Sequence, residues 1–222
     1  MAFMKIPIVS GMSVPFRMIC CTIVAQLVMI LPASAQDEDD ALEQIERSAS
    51  RKPIQTIEAR GAVELRNAMR RIAQQPSDVD ALVDAGNASL LLGDAEAALN
   101  FFTRAHNIQP GNGRINAGLA IATVRNENPF EALRLFDDAV KLGVSERSIA
   151  ADRAVAFDLL GNFDRAQLDY RLARTAAIPD NLVINQSVSL SLSGRSDDAD
   201  NMIAPLLRQN NAEAWRARAF ML

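Results

Sequence analysis

The sequence predicts an all-α protein, a solenoid of antiparallel helix pairs, and three observations lead there. A period of 34 residues runs through most of the chain. Ala98, Ala132 and Ala166 fall in register, as do Phe102, Phe136 and Tyr170, and then Ala105, Ala139 and Ala173; a fixed period of this length marks a repeat architecture. Alanine occurs 36 times in 222 residues while aromatics make up only 5%, a composition that suits close-packed helices and counts against a β-sandwich. Turn signals recur at one place in the unit, with Gly93 and Gly161 two periods apart and Gly194 close behind.

In chain order, residues 1–35 read as a cleaved secretory signal. Lys5 and Arg17 give a positive start, no acidic residue precedes Asp37, and the apolar run Met18–Leu31 is too short to span a bilayer. Pro32-Ala33-Ser34-Ala35 supplies small residues for cleavage after Ala35. The stretch before Arg17 is long for a signal, so Met12 is an alternative start. Both cysteines, Cys20 and Cys21, leave with this segment, and neither has the residues before it that acylation requires. The mature chain then has no thiol for a disulfide, a nucleophile or a metal. Two positive charges leave as well, taking the net charge from −4 to −6. Residues 36–56, with Asp37-Glu-Asp-Asp40 and Arg51-Lys-Pro53, read as a polar linker. A capping helix is expected over 57–76, with Leu65, Met69 and Ile72 as its apolar face and Pro76 ending it 34 residues before Pro110.

The array occupies 77–222, in units 79–112, 113–146, 147–180, a looser 181–211 and a partial 212–222. Each unit reads as two helices. In the first, Leu82, Ala85, Gly86 and Leu90 recur at helical spacing before the Gly93-Asp94 turn, and Ala98, Phe102 and Ala105 form the inward stripe of a second helix. Small residues lie where antiparallel helices cross closely, and one large ring fills the space between a pair and the next. In the fourth unit Ala199 comes one residue early and Leu206 replaces the later small residue. Segment 212–222 reads as the first helix of a fifth unit with Trp215 in the early large position, which leads to the expectation of a chain cut short or of a last helix that docks on something else.

The charge balance counts against nucleic-acid binding, which needs a basic face. The single histidine, His106, has no acidic residue three or four positions away to orient it as a general base. Asp37–Asp40 lacks the ligand spacing and turn glycine of a calcium loop. Asp137-Asp138 and Asp197-Asp198 are neighbours on helices and diverge, so they make no acid–base pair. Gly111-Asn-Gly113 has no lysine after it and is a turn, not a phosphate loop. The expectation is therefore no catalytic, cofactor or metal site, and no enzyme.

The units resemble the tetratricopeptide repeat. Leu82, Gly86, Ala98, Phe102, Ala105 and Pro110 carry the likeness in the first unit, with Leu119, Ala120, Ala132, Phe136 and Ala139 in the second and Ala154, Phe157, Ala166, Tyr170 and Ala173 in the third. That resemblance implies a right-handed superhelix whose first helices line a concave groove for protein segments. By register the groove residues are Asp80, Asn87 and Leu90, then Arg114, Ile121 and Arg125, then Val155 and Asp158. Only Asn87 fits the family's carboxylate clamp, so a mixed apolar and charged segment is the expected ligand. Arg125–Arg134, Arg165–Ala173 and Ala214–Phe220 resemble exported bacterial envelope proteins whose longer members end in a glycan-binding SPOR domain; that module is absent from this sequence. The implied function is a periplasmic or cell-envelope scaffold for a protein partner, with no membrane span after signal cleavage. The alternative is a subunit of tight-adherence pilus assembly or of a peptidoglycan-associated complex, the latter only through the missing module.

Overall fold

The computed structural model describes residues 53–221, and the segment read as a signal, both cysteines and the acidic run Asp37–Asp40 lie outside them. Ten helices and no strand occur among the described residues. A lead-in helix, α1 (Pro53–Gln74), is followed by four pairs: α2 (Val79–Leu91) with α3 (Ala95–Ile108), α4 (Gly113–Arg125) with α5 (Pro129–Lys141), α6 (Glu146–Leu159) with α7 (Phe163–Ala173), and α8 (Asp180–Leu192) with α9 (Ser196–Arg208). The last helix is α10 (Ala212–Met221). Each helix packs on its chain neighbour, and the first helices α2, α4, α6 and α8 also touch in sequence, forming an inner row. This is an all-helical stack of antiparallel helix pairs.

The turn inside each pair is built the same way four times. Gly93, Gly161 and Gly194 take left-handed φ values of 76°, 69° and 81°, and Glu127 takes 57° at the matching place. The next residue caps the second helix: Asp94, Asn128 and Asn162 each accept a hydrogen bond from the backbone N–H three residues on. In the fourth unit that position is Arg195, which makes no such bond. An Asp or Asn cap is worth about 1 kcal/mol over a residue that lacks an acceptor, so α9 forgoes a stabilisation its three counterparts have.

Packing follows the register of small and large residues. Phe102, Phe136 and Tyr170 are buried, as are Ala98, Ala132 and Ala166. The ring of Phe102 lies between its own first helix and the next. A Cβ on Gly86 would sit 2.7 Å from Phe102, and one on Gly118 would be closer still. Glycine at both places lets a single ring fill the gap between two units.

The lead-in helix starts and stops earlier than the sequence suggests, at 53–74 rather than 57–76. Proline at the first position costs nothing there because its missing N–H would have no helical partner. Its contact face also differs: Gly61, Ala68 and Ile72 are buried, while Met69 is 46% exposed. Met69 shares its register with Thr103, which is exposed on α3. Helix α1 thus behaves as a second helix, packed on α2 as α3 is packed on α4. At the other end α10 packs on α8 and α9, burying Ala214 and Ala217 and leaving Trp215 53% exposed.

Candidate functional site

The inner row of first helices carries most of the residues that the sequence assigns to a groove. Asp80, Asn87 and Arg114 are exposed, and Leu90, Ile121, Arg125 and Val155 are half-buried. Leu90, Ile121 and Val155 rest on the apolar core with one side open, so they offer apolar contact without leaving the fold. Arg125 faces Asp152 of the next first helix. Burial pushes the Asp152 carboxyl up, and the positive charge of Arg125 pulls it back down. The surface is therefore a mixed one, with apolar positions spaced among guanidiniums and carboxylates.

Asp158 does not belong to this set. It is 5% exposed, and its carboxylate accepts from the Tyr170 hydroxyl at 2.6 Å and the Ser189 hydroxyl at 2.7 Å. The register explains the misplacement: Asp158 occupies the position of Val124, itself 2% exposed, so this face of the helix turns inward by its last turn. Burial raises the Asp158 carboxyl to about 6, against the two hydroxyl donors that lower it. Burial and the neighbouring Asp158 charge likewise hold the Tyr170 phenol well above its ordinary range. The network continues in one direction: Gln167 donates to Ser189 at 2.8 Å, Gln186 to Gln167 at 2.9 Å, and Arg174 to Gln186 at 3.1 Å.

At the α1 end the row opens into a cavity of about 630 Å³, lined by Asn87, Leu90, Asp84 and Leu91 of α2 and by Arg60, Glu64, Ala68 and Arg71 of α1. Its origin is structural. Among the described residues no first helix pairs with α1, and Glu64, Ala68 and Arg71 stand 34 residues before Ala98, Phe102 and Ala105. The face that would receive a partner helix is thus polar and lacks its large ring. Arg71 bridges to Asp78 at 3.0 Å and to Asp84 at 2.7 Å, and Arg60 pairs with Glu64 at 2.7 Å.

The residues weighed for chemistry are placed elsewhere. His106 lines a separate cavity of about 380 Å³ with Asn116, Arg134 and Asp138. Its Nδ1 is buried without a partner among the described residues. The Asp138 carboxylate that shares this cavity is held by Arg134 and Lys141, both at 2.9 Å. Asp137 and Asp197 are exposed, and Asp198 pairs with Arg195. Among the described residues no cluster of His, Cys, Asp and Glu could hold a metal, and no helix is long and apolar enough to cross a membrane.

No protein-family model and no curated protein matches the chain. Among solved structures, the crystal structure of MamA is similar, with a TM-score of 0.48 and 13% identity over 70% of this chain and 86% of that one.

Proposed function

We propose that the chain is an exported scaffold that holds a segment of a partner protein along its inner row of first helices, in the periplasm or cell envelope. One observation supports this reading above the others. Asp80, Asn87, Leu90, Arg114, Ile121, Arg125 and Val155 lie on three consecutive first helices, and the row runs into the 630 Å³ cavity beside α1. A row of half-buried aliphatics among charged side chains suits a segment with an apolar stripe and mixed charge, the usual ligand of a helical repeat surface. No enzymatic role is proposed: among the described groups weighed for chemistry, Asp138 and Asp198 are tied into ion pairs, Asp137 and Asp197 are exposed, and His106 Nδ1 has no partner. Affinity capture from envelope extracts tests the groove. A partner retained by the native chain and lost with both Arg114→Glu and Ile121→Asp supports it, and equal retention by the two variants contradicts it. Export has its own test: N-terminal sequencing of the chain from the periplasmic fraction should begin at Gln36, and a cytoplasmic chain of full mass would contradict it.

A further inference from the structure

On the side of the stack formed by second helices, α7 and α9 flank a cleft of about 480 Å³ floored by α8. Its lining includes Arg171, Arg174 and Arg195, with Gln167 and Gln186 at the floor and Asp198 as the one carboxylate. Three guanidiniums against one carboxylate is an unusual surrounding in a chain whose net charge is −4. Two of the three arginines stand where the repeat has something else. Arg174 shares its register with His106 and Val140, and Arg195 takes the helix-cap place held by Asp94, Asn128 and Asn162. A position that departs from the locally favoured residue points to a role outside folding. The cleft is also partly unsatisfied. The Arg174 Nε is buried with no hydrogen-bond partner among the described residues, while its Nη2 is anchored to Gln186 at 3.1 Å. The floor is preorganised, since Gln186 and Gln167 are 4% and 6% exposed and bonded to each other. Arg171 makes no ion pair among the described residues and reaches the cleft from an exposed position.

We propose that this cleft is a carboxylate-binding site. Guanidinium N–H groups fit the two oxygens of a carboxylate in a planar fork. Arg171 supplies a guanidinium that no described residue engages, Arg174 lines the cleft with an Nε that lacks a partner among the described residues, and Arg195 adds positive charge from the opposite wall. The Asp198 carboxylate on the rim, 2.6 Å from Arg195, disfavours two charges concentrated on one group, so a carboxylate group, with a single charge, is preferred over phosphate. None of these residues belongs to the inner row, so the site stands or falls apart from the groove.

The test follows the arginine side-chain Nε–Hε resonances by NMR as the full chain is titrated. The probes are the acidic peptide acetyl-Asp-Glu-Asp-Asp-amide, succinate and inorganic phosphate. The expected result is a saturable shift of Arg174 with the carboxylate probes, weakened at least about tenfold in Arg171→Gln, as for loss of a charge-assisted contact. Arg195→Asn should restore the helix cap, raising the unfolding midpoint while weakening binding, two effects of opposite sign that a purely structural role would not give. Tighter binding of the peptide than of succinate assigns the site to a protein ligand, and the reverse assigns it to a small acid; either supports the proposal. Absence of a saturable shift, phosphate binding tighter than both carboxylates, or native affinity in Arg171→Gln overturns it.

Discussion

Tyr170 stands where Phe102 and Phe136 stand, and its one added oxygen meets a buried carboxylate. The Tyr170–Asp158–Ser189 arrangement replaces an apolar contact of the earlier units, since Asp158 sits at the place of Val124. A hydrogen bond to a charged group is worth about 1.5–3 kcal/mol, so Tyr170→Phe should destabilise the fold by roughly that amount. Combining it with Asp158→Val returns both positions to the residues of the second unit. In urea unfolding the double variant should then be less destabilised than the sum of the single ones, with a coupling of at least about 1 kcal/mol; strict additivity would show that the two side chains act independently. The same carboxylate sets a pH dependence. Its pKa in the fold, about 6, lies above the unfolded value near 3.9, so the folded state binds the extra proton. Its contribution is present in full below about pH 4 and is lost as pH rises through 6, amounting to about 2–3 kcal/mol at most. Relative to Asp158→Asn, the native chain should lose stability between pH 4 and 7, and a constant difference would contradict the assignment. None of this network was legible from periodicity, because a register predicts which face a position lies on and not whether a polar side chain there has buried partners.

At the scale of the helix pair, the turn glycines and caps were mostly legible and the exceptions are instructive. Gly93 and Gly161 mark the turn in the sequence, whereas the second unit has no glycine there and Glu127 takes the same left-handed conformation. For a residue with a Cβ that conformation costs roughly 1–2 kcal/mol, so Glu127→Gly should stabilise the chain by about 1 kcal/mol in thermal or urea unfolding. No change, or a loss, would mean the turn relaxes around Glu127. Inside the helices the logic reverses. Alanine favours a helix by about 1 kcal/mol over glycine, yet Gly118→Ala should destabilise, by about 1–3 kcal/mol, because its methyl group would enter the ring of Phe102. Gly111→Ala, at a site with nothing within 4 Å of an added Cβ, should not destabilise. Phe102→Ala should cost about 3–5 kcal/mol as a large cavity between two units.

Over the whole molecule, the 34-residue period placed the helix pairs because stacking units bury the same positions each time. Of the eight positions assigned to the groove, Asp80, Asn87 and Arg114 are exposed and Leu90, Ile121, Arg125 and Val155 half-buried, while Asp158 is buried in the last turn of α6. The cavity beside α1 and the arginine cleft between α7 and α9 were not legible. Both arise where one unit departs from the others, at Ala68 in place of a ring and at Arg195 in place of a cap. In an array where each unit contacts mainly its neighbours, such departures act locally, so the groove and the cleft should respond to substitution separately. On the proposed function, the inner row holds a partner protein. Site-specific photo-crosslinking in the producing cell tests it most directly, with p-benzoylphenylalanine placed at Ile121 or Val155 in the row, or at Leu168, which is 58% exposed on a second helix. The row positions should give a discrete adduct that disappears with Arg114→Glu, and Leu168 should give none. Adducts from Leu168 alone, or row adducts indifferent to Arg114→Glu, would contradict it.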